Sequence, residues 1–558
     1  MQRTMLATVM AMLATAGHAQ ARLPATNPVQ SLPVAPQAPA APTVRTTLVA
    51  PANPALQALL AHRFSPTRFE LSGVKAVPFP RAAEMFQPLV GKDSSVADIL
   101  AAAERCTALY REHGYALSFC YVPAQDFSGG VVKVTAVEGY VADVAIVGDA
   151  GNLEGRLRAY ARHVTKDHPL RRATFERYTQ LMGQLPGITV SVDVPAPATT
   201  DGATRMTLKV TRKRVDVTAS VDANHPGIQG LVSATFNGLT PLGEQLALST
   251  LYPDGHGVQH YYSGALGLPL GSNGLGFRLD GSRYRGTPDT DESLPNGLEH
   301  RLHQDHLGVT LRNPVRLGND HALVWSLGVY GTDQSDQYAD TLSGARLALQ
   351  SKVRVGTAQL DWRDTRDGVS RVVTFAVAHG FDAAGATASI RSNVPGVDFG
   401  RPAEVDFTRL NLEGSLAVPW PRGFGSVLAA AIQYSAQRLP SGEQATFGGP
   451  RFGLAYDPGV TSGDSGWGAS YEINRRFASH AHWLNAWTPY LTTQYAHVRI
   501  NGGPLPVATL GTVAVGVRLT DGHHYNVDIN VAQPVADRPP GDDRRSPRYN
   551  LAFSYSLR

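Results

Sequence analysis

The chain is poor in charge: Asp, Glu, Lys and Arg make up 17% of its 558 residues, and the formal net charge is +4. With no dense basic patch, nothing points to a nucleic-acid partner. Beyond the apolar stretch Met5–Ala16 no run approaches the ~20 residues of a membrane-spanning helix. No glycine-rich loop ends in Lys-Ser or Lys-Thr, so the chain carries no phosphate cradle of that kind. No Ser/His/Asp arrangement or metal-ligand spacing stands out either, so neither an enzyme nor a cofactor is expected. Only two cysteines occur, Cys106 and Cys120, flanking one helix-to-strand turn. A bridge would close a loop of about 15 residues, worth about 3 kcal/mol. Two thiols packed in a small core also fit the sequence.

What is present is glycine (55), tyrosine (20) and a sharply segmented chain. Arg3, the apolar run and Gly17-His18-Ala19 read as a secretory signal peptide over residues 1–19. Residues 20–65 are rich in Pro and Ala, as in PVAPQAPAAPTV, and predict an extended linker with a short helix over Pro54–Phe64. Two α/β modules follow, at 66–140 and 141–211. In the first, Phe69–Leu71 alternates as a strand. Ser95 and Asp98 form a capping-box pattern, and Ile99, Ala103, Cys106 and Tyr110 share one helical face that ends at Gly114. Strands are predicted over Ala116–Val122 and Gly130–Glu138. The second module reads as a strand over 141–147, helices over 152–163 and 173–185, and strands over 188–194 and 205–210.

From 212 to 558 helical periodicity disappears. Segments of about ten residues alternate with period two between turn residues, the pattern of a membrane β-barrel. Val513, Val515 and Val517 alternate with Thr512, Ala514 and Gly516; Tyr549, Leu551 and Phe553 alternate with Asn550, Ala552 and Ser554. One face is apolar and the other small and polar. About sixteen antiparallel strands are expected, with the apolar face toward lipid. His300, His303 and His306, beside Glu299 and Asp305, invite a metal reading. In a strand, however, His303 faces away from the other two, so a polar strand is expected.

The stretch Phe447–Gly468, FGGPRFGLAYDPGVTSGDSGWG, breaks this pattern. Nothing in it predicts a useful strand or helix, and a structureless loop of this length calls for a job of its own. It reads either as a surface hairpin loop or as one that folds inward on its aromatics.

The order of these parts resembles the TpsB transporters of two-partner secretion, the haemolysin-activator and haemagglutinin-secretion family of the POTRA-plus-barrel superfamily. YVPAQDFSGGVVKVTAVEGYV is similar to the end of that family's first POTRA domain at Pro123, Gln125, Asp126, Gly130, Glu138 and Gly139. The glycine-rich stretch, in which Phe452 and Gly453 also lie, is similar to its inward-folding loop at Gly448, Gly449, Tyr456, Gly463, Asp464 and Gly466. The resemblance implies a monomeric barrel in outer-membrane lipid of a Gram-negative bacterium, with both modules in the periplasm. It implies that they capture an unfolded passenger protein, which threads through the barrel and is driven by its own folding outside.

The chain departs from the family pattern in four places. Leu454 stands where the loop carries an Arg, and Gln494 where a barrel strand supplies the facing Asp. No long plug helix is evident before the first module, and the chain ends Ser556-Leu557-Arg558 rather than on an aromatic. The paired loss of Arg and Asp predicts an inward loop held by Phe452, Tyr456 and backbone hydrogen bonds without an ion pair, with Leu454 beside Gln494.

Overall fold

The computed structural model describes residues 60, 62–223, 228–254, 259–287, 297–395, 402–481, 483–539 and 545–557. The expected signal peptide and most of the linker lie outside these residues, as does most of its short helix. Within that helix's span Leu60 is helical, whereas Arg63–Phe64 form a short strand, β1, paired with β3 (Ser94–Ser95).

The first module places β2 (Arg68–Ser72) parallel to β5 (Val131–Val137), with β4 (Phe119–Tyr121) antiparallel on the other side. Helix α1 (Phe79–Glu84) was not foreseen; helix α2 (Val96–Glu112) was. Ser95 Oγ accepts from the Asp98 amide at 3.1 Å, and the Asp98 carboxylate accepts from the Ser95 amide at 2.8 Å. This closes the capping box and satisfies two otherwise orphaned donors. The predicted face is buried: Ile99, Ala103, Cys106 and Tyr110 pack against Val132 and Val134 of β5. Full burial of a side chain such as Ile99 is worth about 1.5–3 kcal/mol. Cys106 and Cys120 are bridged, their Cα atoms 5.8 Å apart, which joins α2 to β4. The strand expected over Ala116–Val122 is shorter than predicted. Residues 116–118 turn to receive Gly139, whose amide donates to Ser118 Oγ at 3.1 Å.

The second module has β6 (Tyr140–Gly148) parallel to β8 (Ala203–Arg212), with β7 (Ile188–Asp193) on β8's far edge. Helices α3 (Glu154–Thr165) and α4 (Arg172–Gly183) cover one face of this sheet. Their other side docks on the barrel. Leu317 and Ala322, next to a barrel turn, complete the module's core of Leu153, Leu157 and Met182. Asn152 donates to Leu239 O at 2.7 Å, Arg177 to Asn273 O at 2.8 Å and Gln180 to Asn319 Oδ1 at 2.9 Å. The turns on this rim therefore hold the module against the barrel's end.

The barrel closes where Val215–Asp222 pairs antiparallel with Arg548–Leu557. Its ring contains eighteen strand segments. Two pairs of these are single strands interrupted once: Val369–Gly380 with Thr387–Ser392, both on Arg346–Arg366, and Ser465–Arg475 with Phe477–Ala481, both on Leu484–Arg499. The barrel thus has sixteen strands. Val513, Val515, Ile529, Val531, Leu551 and Phe553 point outward and are exposed, whereas Thr512, Ala514 and Ala532 face inward and are buried. Such a continuous apolar exterior belongs in lipid.

Candidate functional site

After Tyr434 the chain leaves the wall at the end far from the modules and turns into the lumen between the eleventh and twelfth strands. A short turn at Ser441–Glu443 leads to Ala445–Phe447, which pairs with Thr461–Gly463. The buried carboxylate of Asp464 ties this root together, accepting from the amides of Leu439 at 2.8 Å and Asn501 at 2.7 Å. Gly463 and Gly466 lie against Leu484–Arg499, with no room for a Cβ beside Arg499 O and His497 O. The tip, Gly448–Val460, is held by its own backbone. The Gly448 amide donates to Arg451 O at 3.0 Å, Gly449 to Tyr456 O at 3.2 Å, Gly453 to Gly449 O at 3.2 Å and Tyr456 to Gly453 O at 2.8 Å. Gly448, at φ +121°, brings the backbone so close to Asp457 O that a Cβ would stand 2.3 Å from it.

The tip rests on the C-terminal wall. The Leu454 amide donates to Gln494 Oε1 at 2.9 Å, and Asn550 Nδ2 donates to Leu454 O at 2.9 Å. The Ala455 amide reaches Thr512 Oγ1 at 3.3 Å, and the buried Tyr456 hydroxyl donates to Asp537 O at 2.8 Å. Phe452 adopts φ +57°, a left-handed conformation that costs a non-glycine residue about 1–2 kcal/mol. Its ring lies over Gly468 of the barrel wall, where a Cβ would come within 2.6 Å of Phe452 Cδ2. Beneath the tip a cavity of about 1030 Å³ is lined by Glu413, Arg451, Phe452, Arg518, Asp528 and Ser554, among others.

Two expectations fail here. The stretch Phe447–Gly468 is not wholly irregular: residues 461–463 form a strand and Ser465 onward belongs to the barrel wall. The loop also carries ion pairs. Arg451 meets Glu413 at 2.9 Å, Asp457 meets Arg548, and Glu443 meets Arg409 at 2.6 Å. The physical reason is that charge lost at Leu454 and Gln494 does not bear on charges seated elsewhere along the loop. Glu443, Arg409 and Tyr330 went unnoticed in the sequence. Period two does put Arg409, Asn411 and Glu413 on one face, but no local signal couples them to a loop dozens of residues away.

In the first module the motif residues build one corner. The Gln125 side chain donates to Lys133 O at 2.8 Å and accepts from the Lys133 amide at 2.7 Å, pairing with β5 beyond the end of β4. Pro123 O accepts a further, longer bond from Gln125 at 3.3 Å. Asp126 accepts from the Ser128 amide and hydroxyl, which hold its carboxyl below the usual range, the hydroxyl most strongly. Gly130 packs on Thr67. The Glu138 carboxylate accepts from the Lys75 and Ala76 amides at 2.6 Å each and from the Tyr110 hydroxyl at 3.0 Å. Burial, followed by this hydrogen bond, pushes the Tyr110 phenol upward.

Residues 64–139 match the POTRA domain of ShlB type. The outer membrane transporter CdiB of Escherichia coli O6:K15:H31 (strain 536 / UPEC) is 21% identical over 490 residues, covering 82% of this chain and 77% of CdiB. The heme/hemopexin transporter protein HuxB of Haemophilus influenzae (strain 86-028NP) is 19% identical over 487 residues, covering 83% and 82%. The solved structure of CdiB from Escherichia coli matches the fold with a TM-score of 0.66 at 17% identity, over 91% of this chain and 92% of that one. Over most of its length the chain is similar to TpsB-type transporters of two-partner secretion.

The chain is an outer-membrane transporter of two-partner secretion type, with its POTRA modules in the periplasm. The rim that carries the second module therefore faces the periplasm, and the inward loop enters from the cell exterior. The strand Leu298–Leu317 separates the three histidines as period two requires. His300 and His306 face the lumen, on Asp336 at 3.1 Å and Thr332 at 2.9 Å; His303 lies outside with Arg285 and Asp305, both at 3.1 Å.

Proposed function

We propose that the modules capture the partner protein as an unfolded chain by adding one of its segments to a sheet edge. The observation that carries this reading is that β2 and β6 each pair on one side only among the described residues. An extended client adding to such an edge gains backbone hydrogen bonds with little demand on its sequence. Pro123, Gln125, Asp126, Gly130, Glu138 and Gly139 shape the module that presents β2, their polar groups being engaged within it. The captured chain then threads through the lumen, past small residues such as Ala514, Gly516 and Ser554. The inward loop obstructs this route at rest. Because the barrel closes on its own first and last strands, one copy suffices.

Deleting Arg63–Arg212 tests the reading. Partner protein should vanish from the medium while a heat-modifiable barrel persists in the outer membrane. Undiminished secretion by the truncated barrel overturns it.

A further inference from the structure

Two walls hold the inward loop. The tip meets strands Leu484–Arg499, Thr509–Thr520 and Arg548–Leu557 through amide, hydroxyl and carbonyl groups at Gln494, Thr512 and Asn550 and through the Asp457–Arg548 ion pair. The root meets the opposite strands, His321–Asp340 and Phe407–Pro419, through charge. Glu443 is 3% exposed. Its carboxylate accepts from Arg409 at 2.6 Å and from the Tyr330 hydroxyl at 3.0 and 2.8 Å on its two oxygens. The Glu443 carbonyl accepts from Arg409 at 3.1 Å and from Gln433 at 3.0 Å, and Gln334 donates to Ser441 Oγ at 2.8 Å. Only Gln444 and the three-residue strand Ala445–Phe447 separate this cluster from the tip, so its position decides where the tip begins. A desolvated ion pair adds little net stability, yet loss of one partner strands the other charge.

We infer that Glu443, Arg409 and Tyr330 are the positioning residues of the inward loop. Their buried charge cluster holds the root against one wall, and this anchor governs the closed lumen more strongly than the neutral Leu454–Gln494 contact does. The inference rests on the reading that the loop obstructs the transport route.

The test uses the full chain in planar lipid bilayers, with secretion measured in cells and unboiled gel mobility reporting barrel assembly. Glu443→Gln should raise open-channel occupancy about tenfold, the scale set by one buried group losing its partner. It should also lower secretion, and both effects should exceed those of Gln494→Ala. The reversed pair Glu443→Arg with Arg409→Glu should move both readouts back toward wild type, which a mere packing role would not do. Tyr330→Phe, which removes only a hydroxyl, should act in the same direction more weakly; it decides the matter if Glu443→Gln fails to assemble. Deletion of Gly448–Gly459 separates the two ways of failing. If the deletion opens the channel while Glu443→Gln and Tyr330→Phe do not, the anchor is wrong and the obstruction reading stands. If the deletion leaves the channel closed, the obstruction reading falls, and the inference with it.

Discussion

The backbone N–H of Leu454 donates to the side-chain Oε1 of Gln494 at 2.9 Å, joining the tip of the inward loop to a strand forty residues further along the chain. A neutral side-chain acceptor facing a backbone donor satisfies both without desolvating a charge. The Leu454 side chain packs with the apolar cluster of Phe447, Tyr456 and Leu510.

An arginine at this point would enter opposite a neutral amide. Leu454→Arg should therefore reduce secretion strongly, because an uncompensated charge at a partly buried site costs several kcal/mol. Adding Gln494→Asp should recover much of the loss. Secreted partner protein per assembled barrel measures both. A double variant no better than the sum of the single changes would show that the two positions are not coupled.

Gly468 is the wall position on which Phe452 lies. Gly468→Val should displace the Phe452 ring and destabilise the tip by about 1–3 kcal/mol, the usual cost of overpacking. Protease cleavage within Gly448–Val460 should become faster while the barrel stays heat-modifiable. Unchanged cleavage would mean that the ring does not hold the tip.

The Cys106–Cys120 bridge joins α2 to β4. A thiol-reactive mass tag should add to the denatured protein only after reduction. Replacing both residues by Ala should cost the first module about 3 kcal/mol, from the entropy of the loop it closes. Urea-dependent proteolysis of the full chain would read this loss. Tagging without reductant would exclude the bridge.

Asp98 gives the first module a dependence on acid. The Ser95 amide first, and then its hydroxyl, hold the Asp98 carboxyl below its ordinary value. A group whose folded pKa lies below its unfolded one contributes stability that is present above the unfolded value, about 3.9, and lost as pH falls through the folded one. Amide exchange over Val96–Ile99 should thus show weakened protection once acid protonates this carboxyl. Asp98→Asn should lose that pH dependence, and an unchanged dependence would place the titration elsewhere.

Much of this was legible in the sequence because it is written locally. Period-two alternation at Val513–Leu519 or Tyr549–Leu557 is a property of each strand, and lipid on one side with a polar lumen on the other imposes it on every strand alike. The cap at Ser95 and Asp98 spans four residues, and the buried face of α2 follows from helical spacing, so both could be read directly. Helix α1 could not: its first turn starts at Pro78-Phe79 without a polar cap, and its six residues carry too little periodicity. Bonding of Cys106 to Cys120 stayed open because a bridge depends on how α2 meets β4. The loop shows the same division most clearly. Its glycines and aromatics marked it as unusual, and the neutral pair at Leu454 and Gln494 could be anticipated from two matched departures. That Glu443 meets Arg409 and Tyr330 was decided only when sixteen strands closed into a ring. Closure brings wall positions far apart in sequence to face one lumen, and no local pattern encodes which of them a loop entering that lumen will find.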